Sequence, residues 1–198
     1  MTSFDLSYDY RCPFAKNIHL HVITALRAGA DFSVRFVPWT LSQGYQEESE
    51  PDVWENPARD ADLLALAASV SVRDHQPELF LEAHEALFLA RHVDGVRLST
   101  LDEVTVVLDK VGVDVHRVHD DLATRRPYGV IGASFHEFER YEAFGVPTFV
   151  VNGAATFVRY MTAPSDDAKE SIRVIESLVT LMELEPELNE FKHTQVPY

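Results

Sequence analysis

The sequence predicts an α/β protein in which one sheet domain, built from both ends of the chain, carries an inserted all-helical segment. Three observations lead to this prediction. Residues 4–38 show strand, helix and strand patterns in turn, which is a βαβ unit. Residues 49–144 show helical patterns and no convincing strand. A strong hairpin pattern followed by a helical one then ends the chain, and a two-stranded hairpin needs further strands for stability.

The opening βαβ unit is defined by two changes of hydrophobic period. Residues 4–8 alternate apolar and polar side chains, as a strand does. Pro13 is tolerated in the first turn of a helix, and Gly29 is a plausible stop. A second strand follows at residues 32–37 and ends at Pro38. The apolar face of the helix between them is formed by Phe14, Ile18, Val22 and Ala25.

The spacing of apolar residues in the middle of the chain predicts about five helices. Thr100 and Glu103 form a capping-box pattern, and Asp114 is a candidate cap for the next helix. Pro127 and Gly129 are interpreted as the break before the last helix of the block. We therefore divide the chain into a sheet domain of residues 1–48 and 145–198 and a helical insertion of residues 49–144.

The closing ββα unit is predicted by turn chemistry. Asn152 and Gly153 supply the two positive φ angles of a type I′ turn between residues 147–151 and 154–159. Pro164 is interpreted as the opening of the final helix, which has a clear apolar face.

Charge and composition exclude several classes of partner. The net charge is −15 and the pI about 4.9, so the surface repels phosphate backbones and anionic lipids. No apolar run approaches the ~20 residues of a membrane span. The N-terminus has no basic and apolar regions typical of a signal peptide, and a single cysteine excludes a disulfide within the chain. We expect no nucleic acid or membrane partner and a cytoplasmic location.

Cys12 is the strongest candidate for chemistry. It lies between a strand and a helix, where unpaired N–H groups and the helix dipole stabilise a thiolate and lower the thiol pKa. The neighbouring Arg11 also favours a reactive thiolate. The alternative is a buried cysteine that acts as a small apolar side chain. The reactive interpretation therefore requires an exposed thiol.

The second motif is Val146-Pro147-Thr148. A proline at the start of a strand is permitted there, and it can also form a cis peptide bond in a tight turn.

The chain resembles the DsbA-like thioredoxin-fold family. The likeness rests on the Cys-Pro helix start, the long helical block, and Gly145 to Phe149 before a terminal ββα unit. Kappa-class glutathione transferases and 2-hydroxychromene-2-carboxylate isomerases are relatives of that family. The likeness in element order covers nearly the whole chain.

The resemblance implies a thioredoxin fold and a set of site residues. Cys12 is then the nucleophilic thiol and Pro147 a cis proline beside it, while the Val146 backbone pairs with a bound peptide or thiol. Phe14 lies on the rim and Trp39 walls the pocket. With the two neighbours of the cysteine, the substrate-binding residues become Arg11, Pro13, Phe14, Trp39, Val146 and Pro147.

One departure from the family pattern matters. Its redox members carry Cys-x-x-Cys, whereas Ala15 stands at the second position here and the chain holds no other cysteine. The leading hypothesis is therefore a monothiol thiol–disulfide oxidoreductase without a tightly bound cofactor, with glutathione or mycothiol as co-substrate. The alternatives are a thiol-dependent transferase or isomerase on a small hydrophobic substrate, and a redox-silent binding protein. A homodimer is expected by analogy only.

The histidines do not predict a metal site. His19 and His21 point to different sides of a helix, and the pair His116 and His119 has no evident third ligand. His84 lies close to an apolar stripe, which favours a hydrogen-bonded core histidine.

Overall fold

A computed structural model of the protein describes residues 2–47 and 50–195. Their four strands form one sheet in the order β2-β1-β3-β4. β1 and β2 are parallel, whereas β3 is antiparallel to both β1 and β4. Leu6 at the centre of β1 pairs with Phe36 on one side and Phe149 on the other. The strands are β1 (Thr2–Tyr8), β2 (Phe32–Pro38), β3 (Thr148–Val151) and β4 (Ala154–Phe157).

Helices pack around the sheet and form the insertion between β2 and β3. α1 and α8 contact each other beside the sheet, and α7 contacts β2. In chain order the helices are α1 (Pro13–Arg27), α2 (Leu41–Gly44), α3 (Asp60–His75), α4 (Phe80–His92), α5 (Leu101–Asp109), α6 (Val115–Ala123), α7 (Arg126–Glu139) and α8 (Ala168–Leu184). Short 3-10 turns at Pro57–Arg59 and Pro77–Leu79 lead into α3 and α4. The fold is an α/β thioredoxin fold with a helical insertion.

Local signals placed most elements correctly. The Thr100–Glu103 capping box is formed, and Asp114 caps α6. Asn152 and Gly153 have φ angles of 50° and 82°, as the type I′ turn requires. The predicted boundary between residues 48 and 49 lies outside the described residues, so the division into domains stays a prediction.

Two predicted helix boundaries are wrong. Pro127 and Gly129 lie inside α7, because proline fits the first turn of a helix; the break falls at Arg125, whose φ is 61°. The final helix begins at Ala168 instead of Pro164. Asp167 caps it, since its carboxylate accepts a hydrogen bond from the N–H of Lys169.

The insertion is joined to the sheet through an aromatic stack. Trp39, just after β2, stacks on Phe135 of α7 with ring centroids 5.0 Å apart, and Trp54 packs on the same ring at 5.4 Å. All three side chains are buried. This stack fixes the insertion against the end of the sheet at which β1 leads into α1. Among the described residues, no helix is long and apolar enough to cross a membrane.

Candidate active site

The single cysteine lies where β1 passes into α1. Cys12 is the N-cap residue of α1, and a tight turn holds it there because its N–H donates to the carbonyl of Asp9 at 3.0 Å. Pro13 follows at the first helical position. The predicted placement of the cysteine at a helix N-terminus is therefore confirmed.

The thiol reaches a loop that is distant in sequence. Its Sγ donates to the carbonyl of Val146 at 3.1 Å and accepts a hydrogen bond from the N–H of Ala15 at 3.4 Å. The Val146–Pro147 peptide bond is cis. Thr148 fixes this loop to β1, since its N–H donates to Ser7 Oγ at 2.8 Å. The structure thus brings together Cys12, Val146 and Pro147.

The expected lowering of the thiol pKa is wrong. Cys12 is only 7% exposed, and this burial raises the pKa of its thiol above the ordinary value. The N–H groups of Ala15 and Phe14 act in the opposite direction and lower the pKa. Burial dominates because a thiolate loses more hydration here than these N–H groups return. At neutral pH the site therefore holds a protonated thiol, and its burial matches the alternative interpretation instead of the exposed thiol expected of a reactive cysteine.

Arg11 does not supply charge to the thiol. Its guanidinium is held by the buried carboxylate of Asp9, with hydrogen bonds of 3.1 Å from Nε and 2.6 Å from Nη2. It also donates to Ser42 Oγ at 2.8 Å, and Asp9 accepts a further bond from the N–H of Leu41. Arg11 and Asp9 therefore join the cysteine turn to the start of α2.

Pro13 and Phe14 form part of the surface beside the thiol. The Pro13 side chain is exposed, and Phe14 is half-buried. The guanidinium of Arg159 lies over the Phe14 ring, 4.8 Å from its centroid. Arg159 is a site residue that sequence reasoning missed, because no local pattern indicates that the end of the hairpin packs on α1.

Trp39 is placed away from the position that the resemblance implies. Its side chain is only 2% exposed, and Gly44 packs against its indole ring. Its Nε1 has no hydrogen-bond partner among the described residues. Trp39 supports the wall of the site from within the core and presents almost no surface to a ligand.

A chain of buried polar side chains lies below the cysteine turn. His19 Nε2 lies 3.1 Å from the carbonyl of Ser7, which can only accept, so Nε2 carries the proton and Nδ1 is bare. His84 Nε2 then donates to His19 Nδ1 at 2.8 Å, and Tyr10 donates its hydroxyl proton to His84 Nδ1 at 2.6 Å. In this series of hydrogen bonds each side chain has a partner while both histidines are neutral.

Burial keeps these histidines uncharged. It lowers the pKa of His19 to about 3 and that of His84 well below the ordinary value. His84 is therefore a hydrogen-bonded core residue, as predicted. Within residues 2–47 and 50–195, no three side chains of the His, Cys, Asp or Glu type converge in a way that would hold a metal ion.

Neither of two surface cavities is lined by Cys12, and only the smaller one begins near it. One, of about 390 Å³, has Arg11, Ser42 and Tyr45 in its wall, so it begins one residue from the cysteine. The other, of about 680 Å³, lies at the outer edge of β2 and is lined by Phe32, Phe80 and other apolar side chains. The thiol itself faces the cis-proline loop, through its hydrogen bond to the Val146 carbonyl.

A thioredoxin-type sheet, an N-cap cysteine and a cis proline opposite its thiol define a protein of the thiol–disulfide oxidoreductase fold. The sequence matches the DSBA-like thioredoxin domain over residues 4–169, and the chain belongs to that family. A comparison with curated protein sequences gives no match.

Solved structures show the same fold at low sequence identity. The thiol–disulfide oxidoreductase MdbA from Actinomyces oris is 19% identical, with a TM-score of 0.62 over 90% of this chain and 80% of MdbA. The cytosolic disulfide reductase DsbM from Pseudomonas aeruginosa, solved with GSH, is 14% identical, with a TM-score of 0.62 over 90% and 100% of the two chains. DsbA from Pseudomonas aeruginosa is 18% identical, with a TM-score of 0.59 over 93% and 85%.

Proposed function

We propose that the protein catalyses thiol–disulfide exchange with Cys12 as its only reacting thiol and a small thiol as co-substrate. The observation that carries the proposal is the 3.1 Å hydrogen bond from Cys12 Sγ to the Val146 carbonyl, beside the cis Pro147. Membership of the DSBA-like family supports the type of chemistry. Ala15 in place of a second cysteine restricts it to one thiol.

The cycle has two exchange steps. The Cys12 sulfur attacks one sulfur of a disulfide, so that a mixed disulfide forms and the other half leaves as a thiol, which takes up the proton lost by Cys12. A second small thiol then attacks the mixed disulfide, restores the Cys12 thiol and carries the bound half away as a new disulfide. One thiol and one disulfide are consumed and one of each is formed, so no electrons remain on the protein.

The surrounding groups support both steps. The N–H groups of Phe14 and Ala15 stabilise the negative charge on Cys12 when it leaves the mixed disulfide. The Val146 carbonyl holds the thiol proton before attack. The small thiol is of the glutathione or mycothiol kind, and a reducing compartment such as the cytoplasm suits a protein with one unpaired cysteine.

The test is the reaction of the reduced protein with oxidised glutathione, followed by intact-mass spectrometry over a pH series. We expect one glutathionyl group on Cys12, removed again by reduced glutathione, and none on the Cys12→Ser variant. Because burial raises the thiol pKa, the rate should still increase above pH ~8.5, the value at which a free thiol is half ionised.

The absence of an adduct at every pH would contradict the proposal, provided that the unfolded protein reacts fully under the same conditions. The control with unfolded protein separates a thiol that is inaccessible in the fold from one that has been oxidised during preparation.

A second candidate function is supported by the same burial. When its single proton turns from the Val146 carbonyl to a ligand, a neutral thiol can donate a hydrogen bond to the sulfur of a bound small thiol without reacting with it, as a thiol-dependent transferase or isomerase requires. Saturable binding of reduced glutathione that persists in the Cys12→Ser variant, with no covalent adduct in the wild-type protein, would favour this second function.

A further inference from the structure

Arg159 is held in a fixed position between the two halves of the site. On one side of it, the N–H of Val158 donates to the carbonyl of Pro147 at 3.0 Å. On the other side, Asn17 of α1 donates its side-chain amide to the carbonyl of Tyr160, also at 3.0 Å. Asn17 is buried, so this second anchor is partly screened from water. The backbone of Arg159 is therefore tied to both the cis-proline loop and the helix that carries Cys12.

The side chain of Arg159 is directed toward the start of that helix. Its guanidinium lies over the Phe14 ring at 4.8 Å, an arrangement in which the ring face attracts the cation. Phe14 is two residues from Cys12. The positive charge of Arg159 is close enough to the thiol to lower its pKa, although burial acts more strongly in the opposite direction.

Arg159 lacks the counter-ion that the other arginine beside the site and the arginine of β2 possess. Arg11 is paired with Asp9, Arg35 with Asp5 and Glu137. In the part of the chain that the structure describes, the Phe14 ring is the contact of the Arg159 guanidinium, and no carboxylate pairs with it. Because Arg159 is exposed, has no counter-ion and lies beside the thiol, its guanidinium attracts an anion to this site even though the protein carries a net charge of −15.

We propose that Arg159 determines specificity at Cys12 by binding the carboxylate of an anionic thiol or disulfide. The guanidinium holds the carboxylate above the Phe14 ring while the sulfur of the same molecule reaches Cys12. This inference rests on the exchange reaction proposed above. The preferred reactant is then a carboxylate-bearing disulfide such as oxidised glutathione, in preference to a neutral disulfide.

The test compares two disulfides that differ in charge. The rate of mixed-disulfide formation on Cys12 is measured with oxidised glutathione, which is anionic, and with hydroxyethyl disulfide, which is neutral. In Arg159→Gln we expect the ratio of the two rates to fall about tenfold, because a charge-assisted hydrogen bond to the carboxylate is lost. A change in the Cys12 pKa alters both rates alike and cancels in the ratio.

Arg117→Gln is the matched control. Arg117 is an exposed residue of α6, a helix that packs against α3, α5 and α7 of the insertion, so the same loss of charge occurs away from the site. We expect its rate ratio to equal that of the wild-type protein. Arg159→Lys keeps the charge and should retain most of the preference.

The outcomes separate this inference from the exchange reaction. If Cys12 reacts with both disulfides and Arg159→Gln leaves the ratio unchanged, the role of Arg159 is overturned and the exchange reaction stands. If wild-type Cys12 reacts with neither disulfide, the exchange reaction fails. The role of Arg159 is then tested by the binding of S-methylglutathione, which has the carboxylates and no exchangeable sulfur. An affinity at least about fivefold weaker in Arg159→Gln supports the proposal; equal affinities, or no binding to the wild-type protein, overturn it.

Discussion

At the scale of single residues, the two arginines near Cys12 have different roles. Arg11 is adjacent in sequence, yet its guanidinium is held by Asp9, whose side chain is 1% exposed. Arg159 is 147 positions from the thiol along the chain and influences its pKa through space. Closeness in sequence therefore indicated the wrong arginine, because a side chain of this length is directed by the nearest buried counter-charge.

Arg11→Gln should destabilise the fold. Without the guanidinium, the buried Asp9 carboxylate keeps only the backbone N–H groups of Arg11 and Leu41. We expect the free energy of unfolding in urea to fall by about 2 kcal/mol, between the values typical of exposed and buried ion pairs. Arg27→Gln is the control: its pair with Glu85 is exposed, so a loss below ~1 kcal/mol is expected.

A loss of stability in Arg11→Gln no greater than that in Arg27→Gln would contradict this assignment, because the Asp9–Arg11 pair would then contribute no more than an exposed pair.

At the scale of elements, α7 is fixed by a close approach to Trp54. Gly132 lies in the middle of α7, and a Cβ at this position would lie 2.6 Å from Nε1 of the Trp54 indole and 2.8 Å from its Cδ1. Glycine inside a helix is otherwise unfavourable relative to alanine. Its presence here is explained by the ring that packs against the helix backbone, next to the stack that joins the insertion to the sheet.

Gly132→Ala should lower the free energy of unfolding by about 1–3 kcal/mol, the usual range for overpacking in a core. Gly129→Ala is a matched control in the same helix, since a Cβ there meets nothing within 4 Å. For the control we expect unchanged or slightly greater stability, by up to ~1 kcal/mol. Urea unfolding of both variants checks this, and equal effects at the two positions would show that helix propensity alone is involved.

The elements themselves were largely predictable because their signals are local. The capping box at Thr100 and the Asn152-Gly153 turn depend on residues within four positions of each other. The break before α7 was missed because Arg125 has a positive φ without being glycine or asparagine. No sequence pattern marks that conformation.

The site was predictable only in part. Cys12 and the Val146–Pro147 motif were found from their positions and from the family resemblance. The contact of Arg159 with Phe14 was not predicted, because it depends on how the residues that follow β4 lie against α1. The thiol pKa was expected in the wrong direction, since a helix N-terminus is visible in a sequence and the extent of burial is not.

At the scale of the whole molecule, the polar chain from Tyr10 through His84 and His19 to Ser7 joins α4, α1 and β1 inside the core. Its members hydrogen-bond each other in one direction, which is possible only while both histidines are neutral. Protonation of either one would leave a proton without an acceptor. The packing of the insertion on the sheet domain is therefore coupled to pH.

This coupling predicts that the protein loses stability as the pH falls from 7 to 5. The pKa of His19 is lowered from an ordinary 6.5 to about 3, and that of His84 is lowered as well, so the unfolded chain binds more protons than the folded one in this range. The free energy of unfolding should then fall with decreasing pH by about 1.4 kcal/mol per unit for each buried histidine, starting near pH 6.5. Burial also lowers the pKa values of His21 and His92, so these two residues add to the loss in the same range. The carboxylates with lowered pKa values, such as Asp74 and Asp121, contribute only at lower pH.

Urea unfolding at pH 7, 6 and 5 measures this dependence. His84→Gln removes one titrating group from the chain, so its loss of stability between pH 7 and pH 5 should be smaller than that of the wild-type protein by about 2 kcal/mol, even if the variant is less stable at pH 7. His116→Gln removes an exposed histidine and should keep the full dependence. If His84→Gln and His116→Gln show the same dependence, protonation of the buried chain does not set the acid sensitivity of the fold. An NMR titration of the wild-type imidazoles is a second measurement. We expect His84 to remain neutral at pH 5, and protonation of His84 near pH 6.5 would contradict the prediction.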